Sequence, residues 1–167
     1  MKWSVHKELD KNFNLQAYLY LPENSFTSNN KDFSVRCVFQ IWTRENISNN
    51  LRILKSPPIK HKDFNIWQYN ATPEAMKYLD ENWKYALYRQ GYKDYKKIFN
   101  REEYNNIKEQ MKNNVQFFFI EPLCKNAEQF IHEGDFEGLA ARNTSTPGFG
   151  KADFISYYLE WCQNKGV

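Results

Sequence analysis

Residues 115–122 have the sequence Val115-Gln116-Phe117-Phe118-Phe119-Ile120-Glu121-Pro122. This short apolar and aromatic run predicts a buried strand over 115–120 that ends at Pro122. The part from Phe117 to Ile120 is the longest apolar run of the chain, and it is far too short to span a bilayer. The stretch therefore predicts a strand of a folded core and no membrane segment.

Helical patterns follow this strand. Residues 126–133 and 135–142 are predicted as two short helices, and Thr144 to Gly150 as a loop. Residues 151–162 are predicted as an amphipathic helix, because apolar side chains recur there at helical spacing. These side chains are Phe154, Ile155, Tyr158, Leu159 and Cys162.

Upstream of the strand, two local signals predict helix starts. Asn100-Arg101-Glu102-Glu103 has the form of a capping box and predicts a helix to about Lys112. Thr72-Pro73-Glu74 combines a capping hydroxyl, a proline and an acid, and predicts a helix to about Glu81. Short strands are predicted at 64–69 and 83–88, the second broken by Gln90-Gly91.

The N-terminal region alternates with the period of a strand. A short helix is predicted at 3–11, and strands are predicted at 13–21 and 33–43, because apolar residues occupy every second position. A polar loop from Pro22 to Asp32 separates the strands, which favours an antiparallel pair.

These elements predict an α+β fold, with a mainly antiparallel sheet and flanking helices. A length of 167 residues fits a single domain, and 17% aromatic residues argue against disorder. Within this domain, the basic, proline-containing segment 45–62 is the best candidate for a boundary. It would separate residues 1–44 from residues 45–167.

Cysteine and histidine patterns give no metal or disulfide framework. Cys37, Cys124 and Cys162 are widely spaced and odd in number, and the three histidines show no ligand spacing. Buried, reduced thiols are expected. The N-terminus lacks the apolar core of a signal peptide, so a cytoplasmic location without membrane contact is expected.

Charge is distributed unevenly. Residues 36–62 carry six basic groups against one acidic group (+5), and residues 84–112 carry eight against four (+4), although the whole chain is only +3. Such basic segments with tyrosines among the cations are typical of nucleic-acid-binding faces, and ordinary solvated faces remain the alternative. The predicted nucleic-acid-binding residues are Lys60, Lys62, Arg89, Gln90, Tyr92, Lys93, Lys96, Lys97 and Arg101.

Two motifs invite a catalytic interpretation. Ser56-Pro57-Pro58-Ile59 is close to the Asn-Pro-Pro-aromatic motif of amino-methyltransferases, but it lacks the aromatic ring that stacks on a flipped base. Gly148-Phe149-Gly150 precedes a helix and could expose amides to an anion. A tight turn that starts the last helix is the alternative, and no catalytic residue is predicted.

Several stretches together resemble the C-terminal part of a family of bacterial and phage DNA adenine-N6 methyltransferases. The resemblance runs from about Ser4 to the end and is carried by Leu21 to Phe26, Val35 to Trp42, Arg89 to Tyr95 and Asn143 to Asp153. It is specific in Cys37-Val38-Phe39-Gln40-Ile41-Trp42 and Arg89-Gln90-Gly91-Tyr92.

The resemblance implies that residues 3–11 match the helix after the fifth strand of a class I methyltransferase sheet. Residues 13–21 and 33–43 would match the sixth and seventh strands, and 45–167 a downstream extension that meets DNA. The family's donor, S-adenosylmethionine, binds upstream of the matched part. This chain alone is therefore expected to hold no cofactor and to be inactive as an enzyme.

Three functions follow as hypotheses. The first is a DNA-binding, methyltransferase-related piece that works with a second chain carrying the donor-binding half, in restriction-modification or in phage. The second is a permuted, self-sufficient methyltransferase that uses Ser56-Pro57-Pro58 and the glycine-rich loop. The third is a protein-interaction module with an aromatic surface. On the first hypothesis the strand pair 13–21 and 33–43 leaves apolar surface exposed, because its neighbouring strand is missing.

Overall fold

The computed structural model describes residues 3–22, 25–29, 31–33, 37–91, 94–110, 115–142 and 147–167. These residues form two compact units, the first containing those up to Pro57 and the second those from Pro58 onward. The division falls inside segment 45–62. The single-domain organisation stays a prediction, since two compact units can unfold as one cooperative domain.

The first unit is built on an antiparallel strand pair. Its elements are helix α1 (Trp3–Glu8) and strands β1 (Asn14–Tyr20), β2 (Phe26–Ser28), β3 (Lys31–Phe33) and β4 (Val38–Thr43). Strand β1 pairs with β4, with Leu19 opposite Phe39, and a bulge lies between Leu15 and Ala17. The predicted antiparallel pair is confirmed.

Two details of the N-terminal prediction are wrong. The predicted loop contains a hairpin, because β2 pairs with β3 and Ser28 lies opposite Lys31. Asn29 adopts a positive φ of 52° at its turn, a conformation that asparagine tolerates better than most residues. The strand predicted from Phe33 begins only at Val38, since Phe33 belongs to β3. Strands of three residues are too short to show a period in the sequence.

A buried arginine organises the first unit. Both η nitrogens of Arg52 donate to backbone carbonyl oxygens, at 2.6–2.8 Å, of His6, Leu9, Asp10 and Phe13. Arg52 is buried, so this basic group of segment 36–62 does not lie on the surface. The guanidinium closes the end of α1 and the turn before β1, because unpaired carbonyls there would otherwise lack donors.

His6 is also fully buried beside this arginine. Its Nδ1 accepts a hydrogen bond of 2.8 Å from the backbone N–H of Ile53, which requires that nitrogen to be unprotonated. Burial, and secondarily the charge of Arg52, hold the pKa of His6 below its ordinary value. A neutral His6 ring can therefore be buried beside the charged guanidinium of Arg52.

The second unit is a four-stranded antiparallel sheet with helices on both faces. Its strands lie in the order β5-β8-β6-β7. They are β5 (Phe64–Tyr69), β6 (Tyr85–Gln90), β7 (Ile98–Asn100) and β8 (Gln116–Pro122). The helices are α2 (Pro73–Met76), α3 (Arg101–Ile107), α4 (Lys125–Glu133), α5 (Phe136–Ala141) and α6 (Lys151–Lys165).

Strand β8 is central because its apolar side chains point to both faces of the sheet. Phe117 and Phe119 contact Tyr104 of α3, with ring centroids 5.3 and 5.1 Å apart. On the other face, Phe118 contacts Phe154 of α6 at 6.0 Å. Successive residues of a strand point to opposite faces, so a continuous apolar run must be covered twice. The predicted buried strand is confirmed and extends to Pro122.

The remaining elements correct several predicted boundaries. The predicted strand 83–88 is β6, which begins at Tyr85 and continues to Gln90. The basic, aromatic segment 92–99 contains the start of β7, which was not predicted. Helix α3 begins with the expected capping box, in which Asn100 and Glu103 exchange side-chain and backbone hydrogen bonds.

The fold class is α+β, with a mainly antiparallel sheet and flanking helices, as the sequence predicts. Among the described residues, no helix has the length and apolar character needed to cross a membrane.

Candidate functional site

The predicted nucleic-acid-binding residues do not lie together. Tyr92 and Lys93 lie outside the described residues, and the other seven belong to the second unit. Lys60 and Lys62 precede β5, whereas Lys96 and Lys97 precede β7, and these two strands form opposite edges of the sheet. Three strand spacings of about 4.8 Å separate the edges by roughly 14 Å. The lysines are thus divided between two edges.

Arg89 is engaged within the fold. Its Nε donates to the carbonyl oxygen of Phe149 at 3.1 Å, and its Nη1 donates to Oε1 of Gln116. Its guanidinium also lies 5.5 Å from the ring centroid of Phe118. Burial lowers the pKa of Arg89 below its ordinary value. The side chain joins the end of β6 to the segment before α6, so two of its five donors are used within the fold.

Arg101 has a similar local role at the start of α3. Its Nη2 donates to the carbonyl oxygens of Glu81 and Trp83, and the guanidinium lies 4.4 Å from the Trp83 ring centroid. A cation over an indole face at this distance is attracted by the ring. Although the residue is exposed, its charge is directed at its own chain.

Two predicted lysines form ion pairs. Lys62 Nζ lies 2.7 Å from Asp63 Oδ1, and Lys96 Nζ lies 2.7 Å from Glu137 Oε2. Gln90 pairs with Gln116 in the sheet and forms a bridge with Gly148. Sequence reasoning missed Glu137 and Gly148 as partners because they are distant in the chain from Lys96 and Gln90.

Lys60 and Lys97 are exposed, and neither forms an ion pair within the described residues. Lys60 lies near Lys151, whose ammonium donates to the carbonyl oxygen of Ile66 at 2.7 Å. Burial, and secondarily the charge of Lys60, lower the pKa of Lys151. Of the predicted residues that the structure describes, Lys60 and Lys97 are therefore the two cations that can contact a phosphate without breaking a bond within the fold.

We expect duplex DNA to bind weakly, with a slope of log affinity against log salt of about −2. Each neutralised phosphate contributes about −0.9 to this slope, and the two open lysines account for two phosphates. Fluorescence anisotropy with a labelled duplex at several salt concentrations measures it. Lys60→Ala with Lys97→Ala should flatten the slope to near zero, while the matched control Lys62→Ala with Lys96→Ala should change it little. A slope of about −4 to −5 would show that about five phosphates are neutralised, so that further predicted cations also reach the DNA.

The glycine-rich loop before α6 is closed by its own hydrogen bonds. The amides of Gly148 and Phe149 donate to the carbonyl oxygens of Ala140 (3.2 Å) and Arg89 (3.0 Å), and that of Gly150 to Asp153 Oδ2 (2.7 Å). An anion site at a helix start requires open amides, so this arrangement disfavours donor binding here. Gly148 has a φ of +146°, and a Cβ there would lie 2.5 Å from the Arg89 carbonyl oxygen. Glycine is needed at position 148 because the backbone of Arg89 approaches it so closely.

The Ser56-Pro57-Pro58-Ile59 segment lies at the division between the two units. Ser56 and Ile59 are exposed, and Ile59 offers no ring for a flipped base. Among the described residues, no group of three or more histidine, cysteine or acidic side chains could hold a metal ion.

An exposed apolar surface lies on the β1–β4 pair. Leu19 lies directly opposite Phe39, and Ile41 is two residues further along β4 on the same face. Their side chains are 62%, 57% and 46% exposed. We call these three residues the apolar ribbon face. Tyr18 and Tyr20, on the opposite face of the pair, are also exposed.

Two of the three cysteines lie near the buried Tyr158. The expectation of buried thiols is wrong, because Cys124 is exposed and Cys37 and Cys162 are partly exposed. Cys124 and Cys162 nevertheless come to the same hydroxyl group, which no local sequence signal indicates.

No protein-family model, curated protein or solved structure matches this chain.

Proposed function

We propose that this chain is a non-catalytic, methyltransferase-related protein whose β1–β4 pair docks on a partner carrying the donor-binding half of a DNA adenine-N6 methyltransferase. The observation that carries the proposal is the exposed apolar ribbon face. Three neighbouring apolar side chains on one face of a strand pair favour burial against another protein. Proteins generally keep such strand surfaces covered or charged.

The shape of the strand pair supports this role. Within the described residues, β4 pairs with β1 alone, and the sheet has two strands. A two-stranded sheet is marginally stable by itself and gains stability from further strands or a covering layer. A partner sheet would supply that layer.

One end of the strand pair is anchored by burial and hydrogen bonds, and the other end is exposed to a partner. Leu15 is fully buried, its carbonyl oxygen accepts from the amide of Leu51 at 2.9 Å, and its amide donates to Asn50 Oδ1 at 3.1 Å. Asn50 also donates to Asn14 Oδ1 at 2.7 Å. The residues of the apolar ribbon face lie beyond this anchor, so their positions are preset before binding and little ordering cost is expected.

The resemblance to the methyltransferase family identifies the partner in this proposal. It equates β1 and β4 with the last two strands of the methyltransferase sheet, which in that family complete the sheet beside the fifth strand. The same resemblance assigns the donor, S-adenosylmethionine, to the partner. The second unit would then lie beside the DNA and contribute the weak contacts of Lys60 and Lys97.

Leu19→Thr with Phe39→Thr should weaken association with such a donor-binding half roughly 30- to 150-fold. Loss of two partly buried apolar contacts removes about 2–3 kcal/mol of binding free energy. Threonine suits a strand and both positions are exposed, so folding should be preserved. Biolayer interferometry against a donor-binding half that ends at its fifth sheet strand measures the affinity.

Tyr18→Thr with Tyr20→Thr is the matched control, because these exposed side chains lie on the opposite face of β1. The control should retain binding within about 3-fold. The proposal fails if the unmodified chain does not bind the donor-binding half, or if both pairs of substitutions weaken binding equally.

A further inference from the structure

Two thiols share one buried hydroxyl group in the second unit. Cys124 Sγ lies 4.0 Å from the hydroxyl oxygen of Tyr158. Cys162 follows Tyr158 by four residues on α6, which places both on the same side of the helix, and its thiol interacts with the same hydroxyl. Cys124 and Cys162 therefore approach one oxygen atom although they are 38 positions apart.

The hydroxyl has a defined hydrogen-bonding state. Tyr158 is 1% exposed, and its O–H donates to Asp63 Oδ2 at 2.8 Å. Since its hydrogen is used, the phenolic oxygen has only acceptor capacity left for a neighbouring thiol. Burial, and after it the hydrogen bond to Asp63, raise the pKa of Tyr158. The reduced pair thus lies beside one oxygen atom.

The surroundings of Cys124 are those of reactive cysteines. It is exposed, it is the residue before the first turn of α4, and its side chain caps no amide of that helix. The pKa of Lys62 is raised first by its hydrogen bond to Asp63 and to a smaller extent by the two thiols. A helix N-terminus and a neighbouring cation are features by which reactive thiols are recognised.

We propose that Cys124 and Cys162 are a redox-active pair that closes to a disulfide on oxidation by hydrogen peroxide. The exposed Cys124 attacks a peroxide oxygen, which gives a sulfenic acid and releases one water. The sulfur of Cys162 then attacks the sulfenic sulfur, the S–O bond breaks and a second water leaves. Two thiols and one peroxide become one disulfide and two waters.

Closure changes the packing around Tyr158. A disulfide requires the two sulfurs to meet at about 2.05 Å, so the contacts of the thiols with the hydroxyl must change. The new bond links the start of α4 to α6 and closes the loop between them. Closed loops of this length restrict the unfolded chain, and the melting temperature should rise by about 5–10 °C.

Peptide mapping of the full chain tests the proposal. Trypsin cleavage after lysine and arginine places the three cysteines on separate peptides, covering residues 37–44, 113–125 and 152–165. After brief treatment with dilute hydrogen peroxide and alkylation of remaining thiols, mass spectrometry should find 113–125 linked to 152–165. In an unfolded chain, loop closure alone favours this pair only about 3.5-fold over Cys37 with Cys124. A nearly exclusive link is therefore expected from the native geometry.

Three variants complete the experiment. Cys124→Ser and Cys162→Ser should each abolish the link and the rise in melting temperature, while Cys37→Ser should retain both. Tyr158→Phe removes only the hydroxyl that the thiols contact, and it should speed disulfide formation several-fold. The proposal is overturned if the native chain forms no link between the two peptides, or if links to Cys37 form as readily.

Discussion

Arg52→Met should unfold the first unit while leaving the second folded. The substitution keeps an apolar chain of similar length but removes the donors to four backbone carbonyl oxygens. An unsatisfied buried acceptor costs about 1–3 kcal/mol, and some of the four can recover water, so we expect a loss of about 4 kcal/mol. Two-dimensional NMR should show the amide signals of residues 6–22 and 37–55 collapsing while those of the sheet in the second unit persist.

Arg44→Met is the matched control for this variant. Arg44 is exposed, and its guanidinium lies over the Phe13 ring at 5.0 Å. An exposed cation–π contact contributes about 0.5–1 kcal/mol, so the control should remain folded. If Arg52→Met lowered the unfolding free energy no more than Arg44→Met, the role assigned to the buried guanidinium would be wrong.

The second large effect is expected at Phe130 of α4. This side chain is fully buried and packs against six aromatic rings, with centroid distances of 5.2–6.2 Å. The rings belong to Phe64, Phe136, Phe154, Tyr157, Tyr158 and Trp161. Phe130→Ala should therefore lower the unfolding free energy of the second unit by about 3–5 kcal/mol, through lost burial and the cavity left behind.

Urea denaturation followed by near-ultraviolet circular dichroism measures this loss, because the signal reports on packed aromatic rings. Phe130→Leu is the control, since it keeps most of the volume and should cost less than about 1.5 kcal/mol. A loss below about 2 kcal/mol for Phe130→Ala would mean that the surrounding rings close the cavity.

The candidate sites show where sequence reasoning succeeds and where it stops. The expected exposed apolar surface on the N-terminal strand pair is present, because alternation along each strand assigns Leu19 and Phe39 to one face. The charge pattern predicts a nucleic-acid face, but it cannot show that Arg89 donates to Phe149 or that Lys96 pairs with Glu137. Nucleic-acid binding stays a prediction that, within the described part of the chain, now depends on Lys60 and Lys97.

Local sequence determined the elements whose causes are local. The capping box at Asn100 begins α3, alternation predicted β1, and the run Phe117 to Ile120 predicted the buried strand β8. The three-residue strands β2, β3 and β7 have no such signal, because they are shorter than the window in which a period is visible.

Only the tertiary structure decided which distant residues meet. It placed β8 between β5 and β6, buried Arg52 among the carbonyls around α1, and brought Cys124 and Cys162 to the hydroxyl of Tyr158. Pairing of separate strands and burial of a charge depend on contacts between residues tens of positions apart. A pattern along the chain determines periodicity and capping, whereas partners across the fold are selected by packing and by the need to satisfy every buried polar group.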